Sequence, residues 1–247
     1  MRRPVGDAGV PAGRDTRAVL ELSGTTRLVG ILGWPVEHSL SPRMHNAAFA
    51  ALRLDWAYVP LPTPPERLAD AVRGLPALGF AGANVTAPHK LAVAGLCETD
   101  APSVNTLVVR DGRLEGWTTD AAVLAGLPAE RPVVIGAGGA ATAFLQALPH
   151  ARHFSRRGAW PPEVEEADLV VNATPVRDEV LVELGPGQTL VDLPYPGTAT
   201  AQAARTAGAT VVSGLEVLLA QGAASFELWT GVPAPVAVMR AALGLPP

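Results

Sequence analysis

The segment Ala83–Lys90, ANVTAPHK, ends on the only lysine of the chain; the other eighteen basic residues are arginines. An arginine keeps its charge, whereas a lysine can give up and recover a proton. Lys90 is therefore the first side chain to consider for proton transfer, with a solvent-facing lysine devoid of chemistry as the competing reading. Polar side chains near it fall in glycine-bounded loops: GWPVEHSLSP, ANVTAPHK, SVNTL and GWTTD. Asparagine occurs four times in all, and Asn84 and Asn105 lie in two of these loops. Ser39, Ser41, Asn84, Thr86 and Asn105 form a set of neutral donors and acceptors suited to a small polyhydroxylated acid. Taken singly, each reads as a turn or cap residue, Ser41 above all as a helix N-cap.

A second constellation is GAGGAA, which starts at Gly136 and matches the spacing G-x-G-x-x-G/A. Glycines at those positions allow a tight turn and close backbone approach, so a pyrophosphate can rest on the following helix N-terminus. A strand-like run precedes the motif and a helical pattern follows it, which is the context it requires. The alternative is a plain glycine-rich turn. About twenty residues past the first glycine, where NAD enzymes carry an acid, stands Arg156 in FSRRG. A guanidinium pairs with a 2′-phosphate that a carboxylate would repel, so NADP is expected rather than NAD. Otherwise Arg156 and Arg157 form a solvated loop.

The elements that must position these residues alternate between short apolar runs and amphipathic stretches, the pattern of an α/β protein with parallel strands. Strands are expected at Arg27–Leu32, at WAYVPL and at GANV. The last puts Thr86–Lys90 at a strand's carboxyl end, where open α/β sheets bind ligands. Helices are expected from Ser41, from Pro65 to about Leu78, and from Asp120 or just after it. SVNTLVVRDGRLEGW reads as a hairpin turning at Asp111-Gly112. From Pro132 a second unit follows: strand, glycine turn and helix, then strands at RHFS, DLVVNAT and QTLVDL. A helix near Thr198–Ala207 and the strand ATVVS close it, ahead of helices at Leu215–Trp229 and Ala234–Leu243.

The 247 residues carry a net charge of −4, which leaves no basic footprint for nucleic acid. The single Cys97 excludes an internal disulfide and fits a reducing, cytoplasmic compartment. It reads as a small buried hydrophobe. The longest charge-free run, Pro132–Ala151, has the length of a membrane span but contains Gly136, Gly138, Gly139, Gln146 and Pro149. It reads as strand, turn and helix, so no membrane is expected. Residues 1–25 lack an apolar h-region and read as a flexible extension or an upstream start, not a secretory signal.

The motifs HSLSP, GANVTAPHK, VNTL, TDAAV, GAGGAA, VNAT, VDLPY and GLEVLLAQGAASFELWTG, in this order, resemble the shikimate dehydrogenase family from about Thr26 to the C-terminus. The resemblance implies two α/β lobes with the active site in the cleft between them. The substrate lobe would comprise residues 26–121 and 215–247, and a Rossmann-like NADP-binding lobe residues 122–214. It implies reversible NADPH-dependent reduction of 3-dehydroshikimate to shikimate, on the route to aromatic amino acids.

Motif by motif, Ser39 and Ser41 should hold the substrate carboxylate. Asn84, Thr86, Lys90, Asn105 and Asp120 should place the ligand and line its ring hydroxyls and reacting carbon. Tyr195 and Gln221 should complete the substrate site. Gly136, Ala137, Gly138, Gly139 and Ala140, the turn Ser155-Arg156-Arg157, Leu193 and Gly214 should contact the dinucleotide. Lys90 would protonate the alkoxide left by hydride delivery and take the proton back in reverse, with Asp120 holding the lysine and a substrate hydroxyl. His38 and His89 are read as structural, and no metal is expected.

Three departures from the family pattern stand out. Too few residues lie between GAGGAA and VNAT for a full Rossmann half, so one βα unit is expected to be missing. The family's asparagine–arginine–threonine turn is Ser155-Arg156-Arg157 here. The segment before SVNTL is trimmed, and Thr118 replaces a usual asparagine. The rival readings are a shikimate/quinate-type dehydrogenase and a non-catalytic binder of shikimate-like ligands. Oligomeric state is open, a homodimer included.

Overall fold

The computed structural model describes residues 22–247. In its first sheet β1 (Arg27–Gly33), β2 (Trp56–Pro62) and β3 (Phe80–Val85) run parallel, connected through α1 (Ser41–Ala51) and α2 (Leu68–Ala77). A short helix α3 (Lys90–Ala94), unanticipated from the sequence, follows β3. The hairpin β4 (Thr106–Arg110) and β5 (Arg113–Trp117) then extends the sheet antiparallel, in the order β2-β1-β3-β4-β5. Asp111 and Gly112 both take positive φ, 51° and 76°, the conformation a two-residue hairpin turn demands. The order reverses between β1 and β3, and the carboxyl ends of both carry the polar loops.

The second sheet holds β6 (Pro132–Ile135), β7 (Arg152–Phe154), β8 (Leu169–Asn172), β9 (Thr189–Asp192) and β10 (Thr210–Val212), with α4 (Gly139–Ala147) and α5 (Ala199–Thr206). All five strands are parallel in the order β10-β9-β8-β6-β7. A doubly wound sheet has the order 3-2-1-4-5-6. This one keeps every strand except the outermost, beyond β7, so the missing βα unit is located. Residues 155–168 and 173–188 contain neither helix nor strand. Apolar side chains of these two connections, Val164, Ala167, Val182 and Leu184, instead pack on the sheet beside Phe154, Val170 and Leu190.

α6 (Gly214–Thr230) and α7 (Val236–Ala242) return to the first sheet. Leu218, Leu219, Phe226, Trp229 and Met239 share a core with Val29, Met44, Phe49 and Tyr58. Val217 of the same α6 packs into the core of the second sheet, so one helix is anchored in both lobes. Among the described residues no helix is long and apolar enough to cross a membrane.

Several local expectations are corrected. The N-cap of α1 is Leu40, so Ser41 is not its cap; the Ser39 hydroxyl accepts the Ser41 N–H at 3.3 Å. Asp120–Leu124 forms a 3-10 segment rather than an α-helix; its backbone turns out again after Leu124. Of the extension expected over residues 1–25, residues 1–21 lie outside the described residues. Its last part is tied down: Ser23 and Thr25 donate to Asp55 Oδ2 at 3.2 and 2.7 Å, and Thr26 donates to Oδ1 at 2.6 Å. These bonds, Thr26's foremost, hold the Asp55 carboxyl below the usual range.

His45 of α1 lies in the first core, stacked on Tyr58 with ring centroids 4.5 Å apart. Neither ring nitrogen has a partner, and burial lowers its pKa to about 3. The unfolded chain, with an ordinary histidine, therefore binds a proton below pH ~6.5 that the native state refuses. Stability is retained above that pH and lost as pH falls from ~6.5 toward 3. Between pH 7 and 5 this single group should remove about 2 kcal/mol. Denaturant unfolding at both pH values should show His45→Leu losing less stability over this interval than the wild type does.

Candidate active site

The loops at the carboxyl ends of β1 and β3 are fixed by backbone hydrogen bonds. The Thr86 N–H donates to Leu32 O, and the Trp34 N–H donates to Ala87 O. His89 N–H closes a turn on Thr86 O, and Val104 N–H donates to Lys90 O. The His89 ring is buried and donates from Nε2 to Thr63 O at 2.7 Å, which turns it away from Lys90. Lys90 is left as the one cation of this loop, facing the lobe interface.

Its partner is Asp120. Lys90 Nζ donates to both carboxylate oxygens, at 2.8 and 2.6 Å, with the two side chains only 16% and 8% exposed. Such a sheltered pair requires further hydrogen bonds to offset desolvation. Asn105 supplies one: its Nδ2 donates to Asp120 Oδ1 and to Thr119 Oγ1, each at 2.9 Å. Asn105 Oδ1 accepts the Thr119 N–H at 2.7 Å, which locks the orientation of the amide. Asn105 thus sits behind Asp120, reaches Gln221 Oε1 at 3.4 Å, and does not line the cavity.

A cavity of about 180 Å³ opens in front of the pair. It is bordered by Ser39, Ser41, Asn84, Thr86, Lys90 and Asp120 from the first lobe, and by Leu193, Tyr195 and Gly214 beside the second sheet. Gln221 of α6 completes the wall, so all the expected substrate residues except Asn105 line one space. Asn84 borders it with its amide engaged elsewhere. Its Oδ1 accepts from Tyr58 at 2.9 Å, and its Nδ2 reaches Ser225 Oγ at 2.9 Å and Thr106 Oγ1 at 3.1 Å. Burial raises the pKa of the Tyr195 hydroxyl and keeps it neutral, a donor as well as an acceptor. His38, read as structural, lines the same cavity.

Two further residues shape the site, Ser225 and Ser103. Ser225 had a signal: it stands four residues after Gln221 on α6, hence on the same helix face. Ser103 had none. It is fully buried and donates from Oγ to Gly139 O at 2.8 Å, fastening the glycine turn to the first lobe. A Cβ on Gly139 would stand 2.5 Å from the Lys90 Cβ and 3.0 Å from the Ser103 Oγ. Glycine at this position therefore lets the turn approach Lys90.

The other dinucleotide candidates gather at the carboxyl end of the second sheet. Gly136 has φ 136°, and a Cβ on it would be 2.8 Å from Ala173 O. Gly138 is extended and begins α4 without a side-chain cap, so the first amides of that helix are open to an anion. Ala137 and Gly138 are exposed. Gly136 N–H donates to Phe154 O, which seats the turn beside Ser155-Arg156-Arg157. Gly214 packs on the Leu193 carbonyl too closely to admit a side chain. Together these features fit a dinucleotide: a cradle for a pyrophosphate and two arginines one strand away.

The comparisons agree with the geometry. A family model described as shikimate dehydrogenase substrate binding domain matches residues 31–107. One described as shikimate 5′-dehydrogenase C-terminal domain matches residues 214–243. A shikimate dehydrogenase (NADP(+)) of Anaeromyxobacter sp. (strain Fw109-5) is 42% identical over 274 residues, covering 91% of this chain and 98% of that protein. The chain belongs to the shikimate dehydrogenase family. That alignment is longer than the chain's own 247 residues, so the relative carries residues absent here, in keeping with the missing outermost strand.

Solved members of the shikimate dehydrogenase family superpose well. The enzyme from Aquifex aeolicus gives a TM-score of 0.82 at 29% identity, over 90% of this chain and 99% of that one. The enzyme from Thermus thermophilus, in complex with NADP(H) and shikimate, gives 0.78 at 30% identity, over 88% of this chain and 98% of that one.

Removing the Asn105 amide would leave the buried Thr119 N–H without its acceptor and Asp120 Oδ1 with Lys90 alone. Asn105→Ala should lower unfolding free energy by about 2 kcal/mol, measured by denaturant titration.

Proposed function

We propose that this chain catalyses the reversible NADPH-dependent reduction of 3-dehydroshikimate to shikimate, with Lys90 as the proton-transferring group. The observation that carries the reading is the sheltered Lys90–Asp120 pair, opening on a cavity lined by hydroxyls and amides. The substrate lobe spans residues 26–121 and 215–247, and the cofactor lobe residues 122–214.

Ser39 and Ser41 are placed to receive the carboxylate. Both border the cavity, which supports this, and the Ser39 hydroxyl is seated by the Ser41 N–H at 3.3 Å. Thr86, Gln221 and the neutral Tyr195 hydroxyl line the same cavity and offer hydrogen bonds to the ring. Asn84 acts by orienting its surroundings, and Asn105 by holding Asp120. A dinucleotide held by the Gly136–Ala140 turn would supply or accept the hydride through its nicotinamide. Lys90 holds a proton at Nζ and delivers it to the ketone oxygen as negative charge develops there; in oxidation it takes the proton from the substrate hydroxyl. Asp120 fixes Nζ in position through both of its oxygens. A cytoplasmic setting suits the lone Cys97, whose thiol burial pushes up to about 11 and so leaves unreactive.

Lys90→Arg retains the charge but cannot exchange the proton. Steady-state kinetics should show kcat falling by about 10²–10⁴, while shikimate affinity by calorimetry stays near that of the wild type. Wild-type turnover in this variant would refute the assignment of Lys90. Arg156→Asp should move the NADPH-over-NADH preference toward NADH by about tenfold to a hundredfold, read as a ratio of kcat/KM values.

A further inference from the structure

Arg156 is engaged by two side chains of its own lobe. Its Nη2 lies 2.7 Å from Glu179 Oε2, and its guanidinium carbon stands 5.4 Å above the ring of Trp160. Arg156 leaves the carboxyl end of β7, and Glu179 belongs to the connection that leaves β8. These strands are the two neighbours of β6, whose own carboxyl end carries the glycine turn. The ion pair therefore joins the segments on either side of the pyrophosphate cradle.

The Glu179 backbone is held from behind. Its carbonyl accepts the Thr200 hydroxyl at 3.2 Å, and the Leu181 N–H donates to the same Thr200 Oγ1 at 3.0 Å. The carboxylate thus reaches Arg156 from an anchored backbone at the start of α5.

We propose that Glu179 is a specificity-determining gate on the cofactor site: its carboxylate takes up the Arg156 Nη2 that a 2′-phosphate would use, and the phosphate has to displace it. The inference rests on the cofactor reading above. Carboxylate and phosphate are the two anions that the arginine fork accommodates. A ligand with a free 2′-hydroxyl has nothing to exchange for the carboxylate and binds with the pair intact. Glu179 accordingly weakens phosphorylated dinucleotides selectively and narrows the preference for NADP over NAD.

The test titrates wild type, Glu179→Gln and Asp178→Asn with NADPH, NADH, adenosine 2′,5′-bisphosphate and 5′-AMP at low salt. Glu179→Gln should bind NADPH and adenosine 2′,5′-bisphosphate about threefold more tightly, the scale of an exposed pair, with NADH and 5′-AMP unchanged. Asp178→Asn, which removes the same charge one residue away, should leave the ratio between phosphorylated and unphosphorylated ligands as in wild type. Binding of NADPH by Glu179→Gln alone would also support the gate. Equal tightening of all four ligands, an equal effect of Asp178→Asn, or no effect of Glu179→Gln would overturn the gate and leave the cofactor reading standing. Failure of every protein to bind any of the four would overturn both.

Discussion

The two hydrogen bonds from Lys90 Nζ to the Asp120 carboxylate join the end of β3 to the segment that leaves the first lobe. Two charges withdrawn from water this far are held only where neighbouring groups supply the hydrogen bonds that water would have made. That requirement accounts for the placement of Asn105, clamped between the Thr119 backbone and Asp120, and for the polar cluster of Thr106, Thr119 and Ser225 behind it. It also accounts for the route of α6, which brings Gln221 and Ser225 into the first lobe while Val217 stays in the core of the second. The glycine turn follows from the same constraint, since only a residue without a side chain lets the start of α4 lie against Lys90.

Most of the scaffold could be read from the sequence because its signals are local. Strand runs, the Asp111-Gly112 turn and the glycine fingerprint each depend on a few consecutive residues. The solitary Lys90, conspicuous by residue type alone, borders the cavity. What escaped was long-range. Ser41 has the residue type of a cap, yet α1 starts one residue earlier, with Leu40 at the N-cap, and Ser41 borders the cavity. Asp120 begins a 3-10 segment because the chain must turn at once toward the second lobe. Asn84 has the chemistry of a ligand contact, but Tyr58, Thr106 and Ser225 arrive from three other elements and occupy it. No sequence pattern announces Ser103, whose partner lies in the other lobe, or the Arg156–Glu179 pair, whose members are brought together by the strand order.

The shortened second lobe retains the strands around the glycine turn and omits the outermost one. The retained strands include the two that flank β6, so the glycine turn, the arginine turn and the Ala173 backbone keep their mutual positions. The omitted strand lies farthest from the crevice. Its absence leaves β7 as an edge of only three residues, short enough to offer little template for pairing with another chain. The irregular connections then contribute core side chains that helices would otherwise supply. Gln188 ties one connection to the other through Nε2, donating to the carbonyls of Val164 and Ala167.

The most direct measurement is shikimate oxidation by the wild-type chain, followed by nicotinamide absorbance with NADP+ and with NAD+ in parallel. The account predicts reduction of NADP+ that depends on shikimate and outpaces reduction of NAD+. Binding of both shikimate and NADP+ without any reduction would contradict it.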